Sequence, residues 1–305
     1  MDASVIVCTY NRAASLADTL AALAALQLPP GFEWELIVVD NNSRDATRAT
    51  VEGFAVAHPA LPLRYVFEAR QGLSHARNRG IAEARGEILA FTDDDVLPAP
   101  DWLALLVQGM HEHGCAAAGG YIAPLWQADP PAWLTERFYG FLALKTDTDG
   151  PKSVREPEQM PFGASLAFRR EVFERLGLFD PNLGRKGAVL AGGEEIDVLM
   201  RVVNDGGRVV YFPAARVRHK VEAFRLNKRY FRRWRYQCSR NEAVALPAAG
   251  RRIAGVPLYL LPQLARAAWK AATMRFTHPA DEAFRQEMIV WHFLGLVRGA
   301  AAARA

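Results

Sequence analysis

Four short apolar runs, separated by stretches of helical pattern, constrain this chain more than any other feature. Ser4–Cys8 (Ser-Val-Ile-Val-Cys), Glu35–Asp40 (Glu-Leu-Ile-Val-Val-Asp), Leu63–Phe67 and Glu87–Phe91 (Glu-Ile-Leu-Ala-Phe) have the length and β-branched content of buried strands. After the cap candidates Asn11 and Ser15, Leu16, Leu20, Leu23 and Leu26 recur at helical spacing. A polar turn at Asn41–Thr47 leads into a second helix, and Leu73–Ala84 reads as a third, closed by Arg85-Gly86. Such alternation predicts βαβ units, a doubly wound, mostly parallel sheet and an α/β fold. Ligands of open α/β sheets sit beyond the carboxyl ends of the strands. Thr9–Arg12, Asp40–Ser43 and Asp93–Asp95 fall there.

The rest of the chain is less regular. A helix is expected at Trp102–His113, followed by a segment rich in turn formers from about Ala128 to Pro161 that carries Pro130-Pro131, Trp133 and Tyr139, with Trp126 just ahead of it. A strand at Ala164–Phe168, a helix at Glu171–Leu176, the acidic patch Gly192–Asp197 and a strand around Val209–Phe212 complete a domain that ends near His219. From Ala223 the pattern is helical, with breaks near Pro247, Pro257 and Pro279.

Charge divides the chain at the same place. Its 37 basic and 33 acidic residues give a net +4. Residues 220–305 hold 16 of the basic and 5 of the acidic ones, a net of +11, which leaves −7 for residues 1–219. An acidic body joined to a basic tail points to an anionic partner for the tail. With half the residues apolar, the composition excludes a disordered or fibrous chain. Three scattered cysteines without a CxxC argue against a disulfide framework or a structural zinc and suit a reducing compartment. Asp2 precedes the first apolar run without a basic region or cleavage site, so no secretory leader is expected. The stretches 114–128 and 253–265 lack charge, but both contain proline and both are too short for a bilayer span. A cytoplasmic protein is expected.

Asp93-Asp94-Asp95 is the strongest chemical signal. Adjacent carboxylates at a strand end repel one another unless a cation neutralises them. Oxygen ligands favour Mg²⁺ or Mn²⁺, typically shared with substrate phosphates. For an isolated triplet a solvated turn is the commoner outcome; its place after a buried strand favours metal. There is no GxxxxGK[ST] and no GxGxxG after the first strand, so phosphate would be held by metal and basic side chains rather than by a glycine cradle.

Together these residues resemble family 2 glycosyltransferases. The resemblance runs through Ser4–Arg12, Leu36–Ser43, Gly72–Asn78 and Phe91–Asp95, then Phe162–Ser165, Gly193–Asp197 and Val217–His219, seven motifs in order over about residues 3–220. It implies a GT-A catalytic domain at 1–220, with a nucleotide-sugar half at about 1–97 and an acceptor half at about 98–220, and a basic helical region at 221–305. It also implies an inverting hexosyl- or N-acetylhexosaminyl-type transferase of the kind that assembles bacterial cell-surface polysaccharide or glycolipid. Thr9, Tyr10, Asn11, Arg12, Asp40, Arg70, Arg77, Asn78, Asp93 and Asp94 are then nucleotide-sugar residues, and Asp93, Asp95 and His219 metal ligands. Asp94 can serve in either register of the acid triplet. Glu195 holds the position of the catalytic base, where the family usually has Asp, with Glu194 and Asp197 as fallbacks. Trp126, Trp133 and Gly163 would face the acceptor, a saccharide or lipid-linked saccharide. A metal-dependent nucleotidyltransferase and a non-enzymatic lipid- or nucleic-acid-binding module are the competing classes.

The tail residues Phe224–Tyr236 read as an amphipathic helix, with Phe224, Phe231, Trp234 and Cys238 on one seam and Arg225, Arg229, Arg232, Arg233 and Arg240 on another side. Two outcomes stand close together: the seam packs on the body, or the helix lies on an anionic membrane face. Nucleic acid is a distant third. Val256–Pro262 and Met288–Val297 tilt the expectation towards the inner face of a membrane.

Overall fold

The computed structural model describes residues 1–185, 192–246 and 251–302. They fall into two compact units. The first gathers Met1–Leu125, the described residues of 143–187 and Gly193–Lys220; the second holds Trp126–Leu142 and the described residues from Val221 onward.

In the first unit the alternating pattern becomes β1 (Ala3–Thr9), α1 (Ala13–Ala24), β2 (Trp34–Asp40), α2 (Thr47–Ala57), β3 (Leu63–Phe67), α3 (Leu73–Glu83) and β4 (Ile88–Asp93). Its remaining elements are β5 (Val96–Pro98), α4 (Trp102–Glu112), β6 (Ala117–Trp126), β7 (Lys152–Val154), β8 (Leu166–Arg169), α5 (Arg170–Leu176), α6 (Glu194–Asn204) and β9 (Val209–Val221). The sheet runs β3-β2-β1-β4-β8-β6-β9-β5, with β7 on β9. The first four strands are mutually parallel, as their helical crossovers require. Beyond β4, the pairings of β8 with β4 and β6, and of β5 and β7 with β9, are antiparallel.

Register decides where the polar residues emerge. Thr9 lies opposite Asp40 and Cys8 opposite Asp93, so three motif ends share one edge of the parallel set. Beneath that edge Phe91, Phe168, Phe173 and Phe179 pack mostly edge to face, with ring centroids 5.1–6.2 Å apart. A buried hydrogen bond from Trp102 Nε1 to Ser165 Oγ (2.9 Å) ties α4 to the turn ahead of β8.

β5, β6 and β7 are additions to the elements read from the sequence, β7 inside the segment expected to be irregular, and β9 runs well past Phe212, the end expected for its strand. β6 is built largely of small residues, Ala-Ala-Gly-Gly-Tyr-Ile-Ala, without the alternation that marks a half-buried strand. Gly119 and Gly120 sit where a Cβ would overlap Pro161 and the Ala215 carbonyl, so close strand approach explains that composition.

The second unit contains α7 (Lys228–Glu242), a small hairpin β10 (Arg252–Ile253) and β11 (Val256–Pro257), α8 (Leu260–Thr277) and α9 (Ala280–Ala302). Trp133, Phe138, Phe231 and Phe284 form its aromatic core. The helix break expected at Pro247 lies outside the described residues.

Candidate active site

Asp93 closes β4, and Asp94 and Asp95 form the turn into β5. The antiparallel pairing of β5 with β9 sets Val96 opposite His219. That register brings His219 Nε2 to 3.2 Å from Asp95, although 124 residues separate the two in sequence. The Lys220 amide donates to the Asp95 carbonyl (2.9 Å) and pins the turn. Thr9 donates its hydroxyl proton to Asp94 (2.7 Å), while the Arg12 guanidinium lies 2.6 Å from Asp95 and 3.7 Å from Asp94. Burial, reinforced by the Asp95 charge, pushes the Asp94 carboxyl up to about 7. Asp93 is raised by burial despite the opposing pull of Arg77.

Among the described residues no three acids, histidines or cysteines already surround a common point for a metal. The donor chemistry nevertheless fits a hard divalent cation. Two carboxylates are raised by burial and their like-charged neighbours, and Nε2 of His219 faces the third acid, Asp95, at 3.2 Å. An added positive charge would relieve the crowding of the acids, and an imidazole nitrogen is a normal partner to carboxylate oxygens around such an ion.

Arg77 links this corner to α6. It is buried in the middle of α3, with Nη1 2.9 Å from Glu194 and Nη2 3.0 Å from Glu195 and 4.0 Å from Asp93. Its guanidinium lies over the Phe179 ring, 5.3 Å from the centroid. Burial alone would lower the Arg77 pKa, but Glu195, Glu194 and Asp93 together raise it. The two glutamates divide in response. Burial and the Glu195 charge push Glu194 up to about 8, whereas Arg77 and the hydrogen bonds around Glu195 outweigh burial there and hold it below the usual carboxylate range. The pair therefore carries one proton and one negative charge at neutral pH.

Local backbone allows this approach. Gly193, at φ +104, turns the chain into α6, a conformation open to glycine at little cost. A Cβ on Gly163 would overlap the Arg77 guanidinium and crowd the Glu195 carboxylate, so Gly163 belongs beside this pair.

The other motif residues take varied places. Asp40, buried, accepts from the Tyr65 hydroxyl (2.8 Å) and the Ser43 amide (2.9 Å). Tyr10 is exposed, and Asn11, at φ +52, accepts from the Arg44 amide (2.7 Å). Arg70 pairs with Glu68 through two nitrogens at 2.9 and 3.0 Å. Asn78 both donates to the Phe179 carbonyl and accepts from its amide, at 2.8 and 3.0 Å. Asp197 pairs with Arg201 one turn along α6 (2.8 Å), and among the described residues no side-chain hydrogen bond or ion pair joins it to Arg77, Glu194 or Glu195.

Trp126, the last residue of β6 and the first of the second unit, lies against Tyr139, and Trp133 of that unit lies among Phe138, Phe231 and Phe284. Two residues given no site role in the sequence reading support the site. Phe179 carries Arg77 and Asn78, and Cys8, whose thiol burial pushes up to about 12, stays neutral beside Asp93 and Asp94. Cys8 lay inside a motif; Phe179 gave no local signal, since its partners are about 100 residues away.

Comparison with known proteins adds to this geometry. A family model described as Glycosyl transferase family 2 matches residues 4–177. Glucosyl-dolichyl phosphate glucuronosyltransferase of Haloferax volcanii is 32% identical over 230 residues, 74% of this chain and 71% of that protein. Succinoglycan biosynthesis protein ExoM of Rhizobium meliloti is 31% identical over 235 residues, again 74% and 71%. Among solved structures, mannosyltransferase PcManGT from Pyrobaculum calidifontis, in complex with GDP-Man and Mn²⁺, covers 99% of this chain and 86% of its own at a TM-score of 0.63 and 23% identity. That likeness shows the GT-A fold expected from the sequence.

Proposed function

The chain belongs to the family 2 glycosyltransferases and moves a sugar to an acceptor in glycan assembly; from that premise we propose that it transfers the sugar of a nucleotide diphosphate donor with inversion, at the cleft joining Asp93–Asp95 to Glu194–Glu195. The observation that carries this reading is Arg77, whose one guanidinium reaches the strand-end acid Asp93 and both helix-start glutamates.

Asp93, Asp95 and His219 are the residues that would hold a divalent cation. When bound, Mg²⁺ or Mn²⁺ supplies Lewis-acid stabilisation of the charge on the departing diphosphate. The Mn²⁺ and GDP-Man in the PcManGT structure support this choice of metal and donor class. Thr9 and Arg12 orient Asp94 and Asp95 from one side. Asp40, Arg70 and the Asn11 loop are assigned to the nucleotide, with Asp40 accepting a base N–H.

Glu195, ionised through Arg77, takes the proton from the attacking acceptor hydroxyl, a general-base role typically worth about 10²–10⁴-fold. Glu194, still protonated, keeps Arg77 from being shared between two full negative charges. Gly163 leaves room for the Arg77–Glu195 pair and is assigned to the acceptor side of the base. A saccharide on a lipid carrier is the acceptor class favoured by the glucosyl-dolichyl phosphate substrate in the Haloferax relative's name.

Release of nucleoside diphosphate from UDP-, GDP- and dTDP-sugars, with Mn²⁺, Mg²⁺ or a chelator, tests the reading. One donor should turn over with metal and stop with chelator. Asp95→Ala should lower kcat by about 10²–10³, the weight of several kcal/mol of charge stabilisation. Chelator-resistant turnover, or Asp95→Ala at the wild-type rate, would overturn it.

A further inference from the structure

Helix α8 has two faces, and only one is covered by the described residues. Leu260 and Ala267 are buried, and Leu264, Ala271 and Met274 are partly buried along the same side. On the opposite side Leu261, Ala265, Ala268, Trp269, Ala272 and Phe276 form an exposed apolar stripe at helical spacing. Phe276 is 87% and Trp269 74% exposed. The helix contains no acidic residue, and Arg266, Lys270 and Arg275 flank the stripe on its two sides. The hairpin ahead of it adds exposed Arg251 and Ile253. Ala272 and Arg275 also line a cleft with Lys228, Arg232 and Glu287, where the glutamate is already paired with Arg232.

The basic helix picked out in the sequence, α7, differs. Its Phe231 is buried against Trp133 and Phe138, its Trp234 packs on Phe141, and its Arg232 is held by Glu287 at 2.6 Å. Exposed Phe224, Arg229 and Arg233 remain at the N-terminal end of α7, but the longer continuous aromatic and apolar surface is on α8.

We propose that the Leu261–Phe276 stripe of α8 docks on an anionic lipid bilayer, with Trp269 and Phe276 in the interface and Arg266, Lys270 and Arg275 at lipid phosphates. Charge complementarity selects this occupant. A helix with exposed Trp and Phe, three basic residues beside them and no acid suits the boundary between headgroups and acyl chains. No helix among the described residues is long and apolar enough to cross a membrane, so α8 would lie in the surface. This inference does not depend on the catalytic assignments.

The 305-residue chain should co-sediment with phosphatidylglycerol/phosphatidylcholine vesicles, release as salt is raised, and ignore pure phosphatidylcholine. Trp269→Ala/Phe276→Ala and, separately, Arg266→Glu/Lys270→Glu should each cut partitioning at least about tenfold. Because these side chains are exposed, circular dichroism and the thermal midpoint should match wild type. Trp269→Phe should retain most of the binding. Failure to bind anionic vesicles overturns the proposal, as does binding that both double variants leave intact. A lipid-free dimer dissolved by Trp269→Ala/Phe276→Ala, without vesicle binding, would assign the stripe to a second copy and overturn it as well.

Discussion

Two acidic clusters in the first unit meet the same electrostatic problem with different outcomes. At the end of β4, Asp93 and Asp94 both move upward, driven by burial and by their neighbours' like charge. At the start of α6, Glu194 and Glu195 move in opposite directions around a shared guanidinium. A cluster whose members rise together is short of positive charge; one whose members part has fixed a proton on one carboxyl and a charge on the other. The first state suits a corner that takes a cation and a diphosphate, the second a base with a neutral neighbour.

Arg77 is where the contrast is most easily broken, and its removal should have the largest effect. Arg77→Leu leaves ionised Glu195 buried without its partner, which typically costs about 3–5 kcal/mol. The thermal midpoint should fall by about 10 °C and nucleoside diphosphate release should drop to background. Arg77→Lys should be intermediate, because an ammonium cannot engage two carboxylates as a planar guanidinium does. An Arg77→Leu protein as stable as wild type would mean that the glutamates do not depend on that charge.

Glu195→Gln comes next and separates chemistry from folding. It removes the proposed base but keeps a hydrogen-bonding partner for Arg77, so kcat should fall by about 10²–10⁴ with little change in donor KM or midpoint. If Glu194→Gln produced that loss and Glu195→Gln did not, the base assignment would pass to Glu194.

Local patterns foretold much of this arrangement. The parallel strands β1 to β4 announced themselves by branched apolar runs, and the ends of those runs carry Thr9, Asp40 and the Asp triplet. Glu194, Glu195, His219 and Arg77 were all visible as motif members. Their grouping was not, because it depends on contacts such as Arg77 with Glu194, 117 residues apart. Strand β6 escaped notice because close packing demands small residues there, and small residues carry no periodicity. In the tail, composition identified a basic amphipathic helix but not which helix stays uncovered. That was decided by Trp133 and Phe138, which approach Phe231 across more than 90 residues of sequence and cover the seam from there on, whereas Phe224 lies ahead of α7 and stays exposed.

The smallest effect expected is also the most specific test of the contrast, and it lies in the pH dependence of Glu194→Gln. In the folded chain Glu194 holds its proton up to about 8, against an ordinary value of 4.5. A folded-state pKa above the unfolded one means that the folded form binds the extra proton between those values. Its contribution to stability is therefore complete below about 4.5 and is lost as pH rises through about 8. Gln cannot ionise, so Glu194→Gln should keep a neutral neighbour for Glu195 at any pH. Thermal midpoints of the two proteins from pH 5 to 9.5 should lie closest in acid and diverge in the variant's favour as pH climbs, with the gap levelling off above about 8. The variant's activity should also fall less at the alkaline end. A difference curve that stays flat across this range would show that Glu194 holds no such proton, and the two clusters would then differ only in position.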